Sequence, residues 1–389
     1  MNKTAIVYTS AKDSGAAALD LCKQITSALD GESPDVILLF ASSRYDHATL
    51  LRELTSHCKP KILVGASSAG EFTNATRGDG LACALALRSD EMEFAVGVGR
   101  DLGKDRALAA REMVKDFRGL GVHAYPYRSA LVMTDALAGH ADDLVEQLTL
   151  VTSGKYQFFG GGAGDDAQFK RTQVFLGTEA ISDAAVALEI LSKKPVGVGV
   201  GHGWEAASAG MRVTEALGTT LVSLNGVPAI DAFEDHARAT EQAFDRADPL
   251  PFFLHNIVGI DTGNGHRLRV PLAVLENGSV VCASEIPVGA KVNIMRTTST
   301  SAVDAASRAT RSAIEGLHGH KPQAALFFDC VATRLRMGDG FGLELESLGN
   351  LLGPAAAYVG CNTHGQIARA EGQFGGFHNC TAVVCVFPE

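Results

Sequence analysis

The sequence predicts an α/β protein made of repeated β-α-β-α-β-β units, their mixed sheets covered by helices, with the chain divided into two domains. Three observations carry this expectation. The runs "PDVILLFASS", "RSALVMTDAL" and "QAALFFDCV" have the length and apolarity of buried strands, and each leads into a segment with apolar spacing of three and four, as on one face of a helix. After each helix comes an apolar run that breaks at glycine, in "KILVGASSAGEF", "YQFFGGGAGDD" and "AAYVGCNTHGQIA". Strand-like and helix-like segments alternate along the chain, as they do where helices pack on a sheet. Because the glycine break recurs at one point of each copy, an internal repeat explains the pattern better than chance likeness among apolar segments.

In chain order, "AIVYTS" and the alanine-rich "GAAALDLCKQITSAL" open the first copy. Its central strand, the helix "ATLLRELTSHC", the glycine turn and the strand "GLACALALR" complete it. The second copy opens with "EFAVGVGR" and "RALAAREMVKDF", continues through "ADDLVEQLTLV" and closes on "AISDAAVALEIL". The third is expected to open with "VNIMRTT" and "DAASRATRSAIEGL", to continue through "GLELESLGNLL" and to close on "FHNCTAVVCVF". Residues 196–290, between the second and third copies, read differently. "VGVGVGHGW" leaves one strand face nearly bare, so something must pack close to it. "NGVPAIDAFEDHARATEQAF" places proline at a helix start, and Asn277-Gly278 marks a hairpin. This region reads as a joint between a domain of two repeats (1–222) and a domain holding a linker helix, a hairpin and the third repeat (223–389).

Composition narrows the function. Hydrophobic residues make up 46% of the 389-residue chain, and charged residues 20%. A formal charge of −10 with no basic tract gives nucleic acid little to hold. No apolar run reaches the roughly 20 residues of a spanning helix, and the N-terminus lacks the apolar centre of a signal peptide. A cytoplasmic protein with no membrane role is expected, and a homo-oligomer is left open. Eight cysteines without a C-x-x-C pair suit buried free thiols better than zinc or redox motifs.

The turns at 65–70, 160–164 and 360–365 suggest a folding requirement first, since glycine permits close backbone approach without any chemistry. Polar neighbours nevertheless differ between copies: Ser67, Ser68 and Glu71 in the first, Asp165 and Asp166 in the second, Thr363, His364 and Gln366 in the third. If the three turns converge, these residues line one cleft and bind a small ligand. "GASSAG" is not the G-x-S-x-G elbow of a hydrolase, and neither glycine-rich turn ends in the Gly-Lys-Ser/Thr of a phosphate loop. A serine hydrolase using Ser67 or Ser68 with His364 stays as the competing class, and a structural adaptor as a third. Among the histidines, His236 lies on a helix face with Phe233 and Phe244, and His255 follows "PFFL". A histidine in such a setting is ordinarily a satisfied core residue, but a single axial ligand to haem iron needs only one, in an apolar pocket.

"VGASSAGEF", "FFGGGAGDDAQF", "GHGW" and "LNGVPAIDAF" resemble the N-terminal FIST domain, and "ALFFDCVATRLRMG", "VGCNTHGQIA" and "GGFHNCTAVVCVF" resemble the C-terminal one. The resemblance covers nearly the whole chain. It implies a sensory protein that binds a small ligand and signals, and with no output module read in the sequence, one that acts through a partner. It is similar in length to the nitric-oxide-sensing, haem-binding FIST branch, which regulates a histidine kinase. Membership there would make His236 the proximal iron ligand, with His255, Phe233 and Phe244 around the macrocycle. The alternative is a sensor of an amino-acid-like metabolite without haem. One departure bears on it: the family's Tyr-Gly-Glu-Ile is His364-Gly365-Gln366-Ile367 here, which removes a charge and adds an imidazole.

Overall fold

Strand Val36–Ser42 is buried on both faces, and its alternate side chains serve two cores. Val36, Leu38 and Phe40 face a central cluster, while Ile37, Leu39 and Ala41 face the helices Ser14–Ala28 and His47–Cys58. This double burial is why the run is continuously apolar rather than alternating. The same division recurs in Tyr127–Thr134 and Pro322–Cys330. In the computed structural model, which describes residues 2–121, 124–370 and 376–389, three six-stranded mixed sheets therefore share one central core, with helices on their outer faces. Phe40 meets Phe328 edge-on there, with ring centroids 5.5 Å apart. Gly375, which belongs to one of the family-like motifs, lies outside the described residues.

Each sheet has the order first strand, last strand, second strand, third strand, then a hairpin taken from another repeat. The second and third strands run parallel, joined through a helix. Val174–Leu176 of the second repeat pairs with Val64, Gly65 and Ala66 of the first. Gln366–Arg369 of the third pairs with 158–161 of the second. Glu71–Thr73 of the first pairs with 359–361 of the third. Each repeat thus completes a neighbour's sheet, and the exchange closes into a ring.

The first strand of the third sheet is Gly197–Gly201, not the expected "VNIMRTT". An added Cβ at Gly197 would lie 1.8 Å from the Ala313 carbonyl oxygen, and one at Gly199 would lie 1.8 Å from that of Ala309. The bare strand face is covered by the backbone of the alanine-rich helix Ser299–Glu315. Gly97 and Gly99 serve the helix Arg106–Val114 in the same way. Lys291–Arg296, from the "VNIMRTT" segment, instead joins a nine-stranded sheet inserted between first strand and first helix. That insert, with helices Ala229–Ala239 and Leu250–Phe253, has its own apolar core. Residue 222, where the sequence reading places the division between domains, lies within its strand Thr220–Leu224. Among the described residues, no helix is long and apolar enough to cross a membrane.

Candidate functional site

The three glycine turns have one physical cause. Gly65, Gly160 and Gly360 sit on third strands opposite Leu39, Val132 and Phe327. A Cβ at each would lie 1.8, 2.1 and 1.9 Å from the opposing carbonyl oxygen. Side chains are excluded there for packing reasons alone. Beyond the glycines the chains leave their sheets and meet. Gly164 N donates to Ser67 O (2.8 Å) and Asp166 N to Ser68 O (3.1 Å). Ala69 N donates to Asn362 O (2.9 Å) and Asn362 N to Gly70 O (2.8 Å). Gly162 N donates to Gly365 O (2.8 Å) and His364 N to Gly162 O (3.0 Å). The turns converge as expected, but they form a knot of backbone hydrogen bonds and not the walls of one open cleft.

Four of the expected ligand-binding residues brace this knot. Ser67 Oγ accepts from Gln173 N at 2.9 Å, and Ser68 Oγ donates to Glu71 Oε1 at 2.5 Å. Thr363 Oγ1 donates to Asp329 O at 3.2 Å and accepts from Gln366 Nε2 at 2.9 Å, while Gln366 Oε1 accepts from Thr381 N at 3.2 Å. All four are buried, and the two serines bond to Gln173 and Glu71 rather than to a histidine. The other three, Glu71, Asp165 and His364, line three different cavities, one at each junction between repeats. Asp165 is occupied by the backbone N–H groups of Phe169, Lys170 and Arg171, at 2.9, 2.6 and 3.0 Å. Those bonds fold the loop that carries Phe169.

His364 differs from its neighbours. Its ring is buried and stacked on Phe169, with centroids 4.4 Å apart and planes at 15°, yet neither ring nitrogen has a hydrogen-bond partner. Nε2 is 3.6 Å from Asp165 Oδ1, beyond hydrogen-bonding reach. Burial lowers its pKa to about 4 against the opposing pull of Asp165, so the ring is neutral at pH 7. It lines a cavity of about 220 Å³ with Leu137, Phe169 and Cys330 of the threefold body and Val270 and Leu272 of the insert. Strand register places Ala69 and Gly164 at the matching positions of the other repeats, so the fold itself asks for no imidazole there.

A FIST N domain model matches residues 35–227, and a FIST C domain model matches residues 229–369. The chain belongs to the FIST family. FIST domains are associated with small-ligand sensing in signalling proteins. A search of curated proteins found no match. Among solved structures, cyanuric acid hydrolase from A. caulinodans is 7% identical over 99% of both chains, with a TM-score of 0.32. That likeness is too weak to bear on this FIST protein's chemistry.

The residues expected around haem do not fit it in this FIST protein. His236 is buried in helix Ala229–Ala239, and its Nε2 lies 3.1 Å from Asn256 Oδ1. Phe233 packs edge-on against Phe253 at 5.2 Å, and Phe244 against Phe252 at 5.0 Å, all within the core of the insert. Nε2 is engaged by Asn256 and the aromatic rings close on one another, so the described residues around His236 form a packed core. His255 is solvent-exposed, its pKa lowered by partial burial and by Arg336. Among the described residues, no group of three or more His, Cys, Asp or Glu is placed to hold a metal ion.

Sequence reasoning missed Phe169, Asn362, Arg334 and the insert residues Val270 and Leu272. Asn362 left a signal, because its matching positions are Ser67, which is satisfied, and Gly162, which has no side chain. Val270 and Leu272 left none, since their place in the cavity follows from how the insert docks.

Proposed function

We propose that this FIST protein senses by binding, without turnover, a small and largely apolar ligand in the cavity beside His364, and that a partner signalling protein such as a histidine kinase reads the bound state. The observation that supports this most is the neutral, buried His364 ring with two unpaired nitrogens. Leaving a buried polar group unpaired costs roughly 1–3 kcal/mol, and the matching positions of the other repeats hold alanine and glycine. A ligand carrying one hydroxyl or amide would recover that cost while its apolar part meets Leu137, Val270 and Leu272. Because the insert and the threefold body both contribute walls, a bound molecule touches both, and differential contact with two arrangements is what shifts a population. Haem and nitric oxide, the finer part of the family resemblance, are left out of this reading because the His236 surroundings do not fit a macrocycle.

The test uses phenol and benzyl alcohol as probes, with the unfolding temperature as readout. The wild-type protein is expected to melt higher with at least one probe. His364→Ala, which removes the polar partner, and Leu272→Trp, which fills the space, are both expected to abolish the rise. Wild type indifferent to both probes, or either variant responding like wild type, would overturn the proposal.

A further inference from the structure

A different cavity lies where the first and third turns meet, lined by none of the residues around His364. It measures about 430 Å³. Its walls come from the hairpin of residues 71–78, the helix Val331–Met337 and the third strand of the third repeat. Phe72 and Phe341 give it an apolar side, with ring centroids 5.7 Å apart and planes at 61°. Two arginines and two aspartates line it: the Arg334 guanidinium is hydrogen-bonded to Asp79, and Arg77 Nη1 donates to the backbone carbonyl of Asp339 at 3.2 Å. Glu71 adds no charge at pH 7, because burial raises its carboxyl to about 8 despite the stabilising bonds from Ser68 and Leu81. With two arginines and two aspartates among its lining residues, the cavity has no net charge to favour an anion over a neutral guest.

The informative residue is Asn362, which is 1% exposed and lines the cavity. Both side-chain atoms, Nδ2 and Oδ1, lack any partner, and so does Arg334 Nε. The amide and the guanidinium flank one point, since a Cβ added at Gly70 would lie 2.8 Å from Asn362 Oδ1 and 3.1 Å from Arg334 Nη1. Two donors and one acceptor therefore stand unpaired beside a cavity, at a position where the other repeats have a satisfied serine or no side chain. A carboxylate offers acceptors alone and would leave Asn362 Oδ1 unpaired. A cis amide offers both: its carbonyl has two lone pairs for two donors, and its N–H has one proton for one acceptor.

We infer that this cavity is a second ligand site, selective for a small neutral molecule with a cis amide edge, a lactam or a primary carboxamide. The guest carbonyl accepts from Asn362 Nδ2 and Arg334 Nε, and its N–H donates to Asn362 Oδ1 once the amide turns its edge into the space it lines. Phe72 and Phe341 pack against the guest's apolar part.

δ-Valerolactam and its N-methyl analogue test this on the full chain, by ligand-observed NMR and by the side-chain amide resonances of Asn362. The lactam is expected to bind and to shift those resonances. The N-methyl compound, which lacks the donor, is expected to bind at least tenfold more weakly. Asn362→Asp keeps the side chain's size and the backbone bonds to Ala69 and Gly70, and is expected to weaken lactam binding at least tenfold. Arg334→Lys keeps a cation for Asp79 but lacks Nε, and is expected to weaken it several-fold. Leu150→Ser, at an exposed residue that lines neither cavity, should leave it unchanged. Absence of lactam binding, equal binding of the two compounds, or unmoved Asn362 resonances would overturn the inference even if a variant failed to fold.

Discussion

Glu71 is 1% exposed and held between the Ser68 hydroxyl and the Leu81 N–H. Its carboxyl, ordinarily near 4.5, is raised to about 8 chiefly by burial, with Asp166 adding to the rise. Between these values the folded protein holds a proton that the unfolded chain has released, so this residue's contribution to stability falls as pH rises through that window. Glu71→Gln removes the titration while keeping an acceptor for Leu81 and a donor for Ser68. Relative to wild type, the variant is expected to gain on the order of 3 kcal/mol between pH 4.5 and pH 7, as measured by urea unfolding at both pH values. A constant difference between the two proteins would mean that Glu71 is ionised in the fold. The variant comparison is needed because Asp329 and Glu344 are also raised by burial and tilt the wild-type curve the same way. At this scale the sequence revealed which polar residues stand beside the glycines, but not their partners. Gln173 is 106 residues from Ser67, and Asn256 is 20 from His236. Such pairings depend on how distant segments come together, which periodicity does not encode.

At the scale of elements, the glycine turns were legible because a steric demand repeated three times leaves a repeated residue. Gly360→Ala would drive a methyl to 1.9 Å from the Phe327 carbonyl oxygen and to 2.5 Å from the Phe72 ring. The strands must part or the backbone must shift, and overpacking of this kind costs about 1–3 kcal/mol or more. Gly340→Ala has no atom within 4 Å of the new methyl and is expected to stay within about 0.5 kcal/mol of wild type. Equal denaturation midpoints for the two variants would show that the close approach at Gly360 relaxes freely. The Val-Gly strand was read correctly as needing a close neighbour, yet its membership of the third repeat was missed. The signal was present in "EFAVGVGR", whose glycines meet Met113 and Ala109 just as Gly197 and Gly199 meet Ala313 and Ala309. An insert of almost 100 residues between strand and helix hid the equivalence. Exchange of hairpins left no trace, because a three-residue strand such as Val174–Leu176 carries no pattern that names its partner sheet.

For the whole molecule, the ring of exchanged hairpins decides what can fold alone. A fragment of residues 1–222 would keep the hairpin Glu71–Thr73 without Ala357–Thr363, its partner in the third sheet. It would also keep Gly197–Gly201 without Ala382–Pro388, and its second sheet would lack Gln366–Arg369. The fragment 223–389 would expose the matching edges, and the cut itself would divide strand Thr220–Leu224 of the inserted sheet. Unpaired edges beside a central core shared by all three sheets favour aggregation over independent folding. Each fragment expressed separately is therefore expected to be insoluble or to lack a cooperative melting transition. Co-expressed, with a tag on one fragment only, the two are expected to copurify and to melt as one unit, because each supplies the strands that the other lacks. A 1–222 fragment that melts cooperatively alone would show that the exchanged hairpins add little, and that two repeats suffice to close a core.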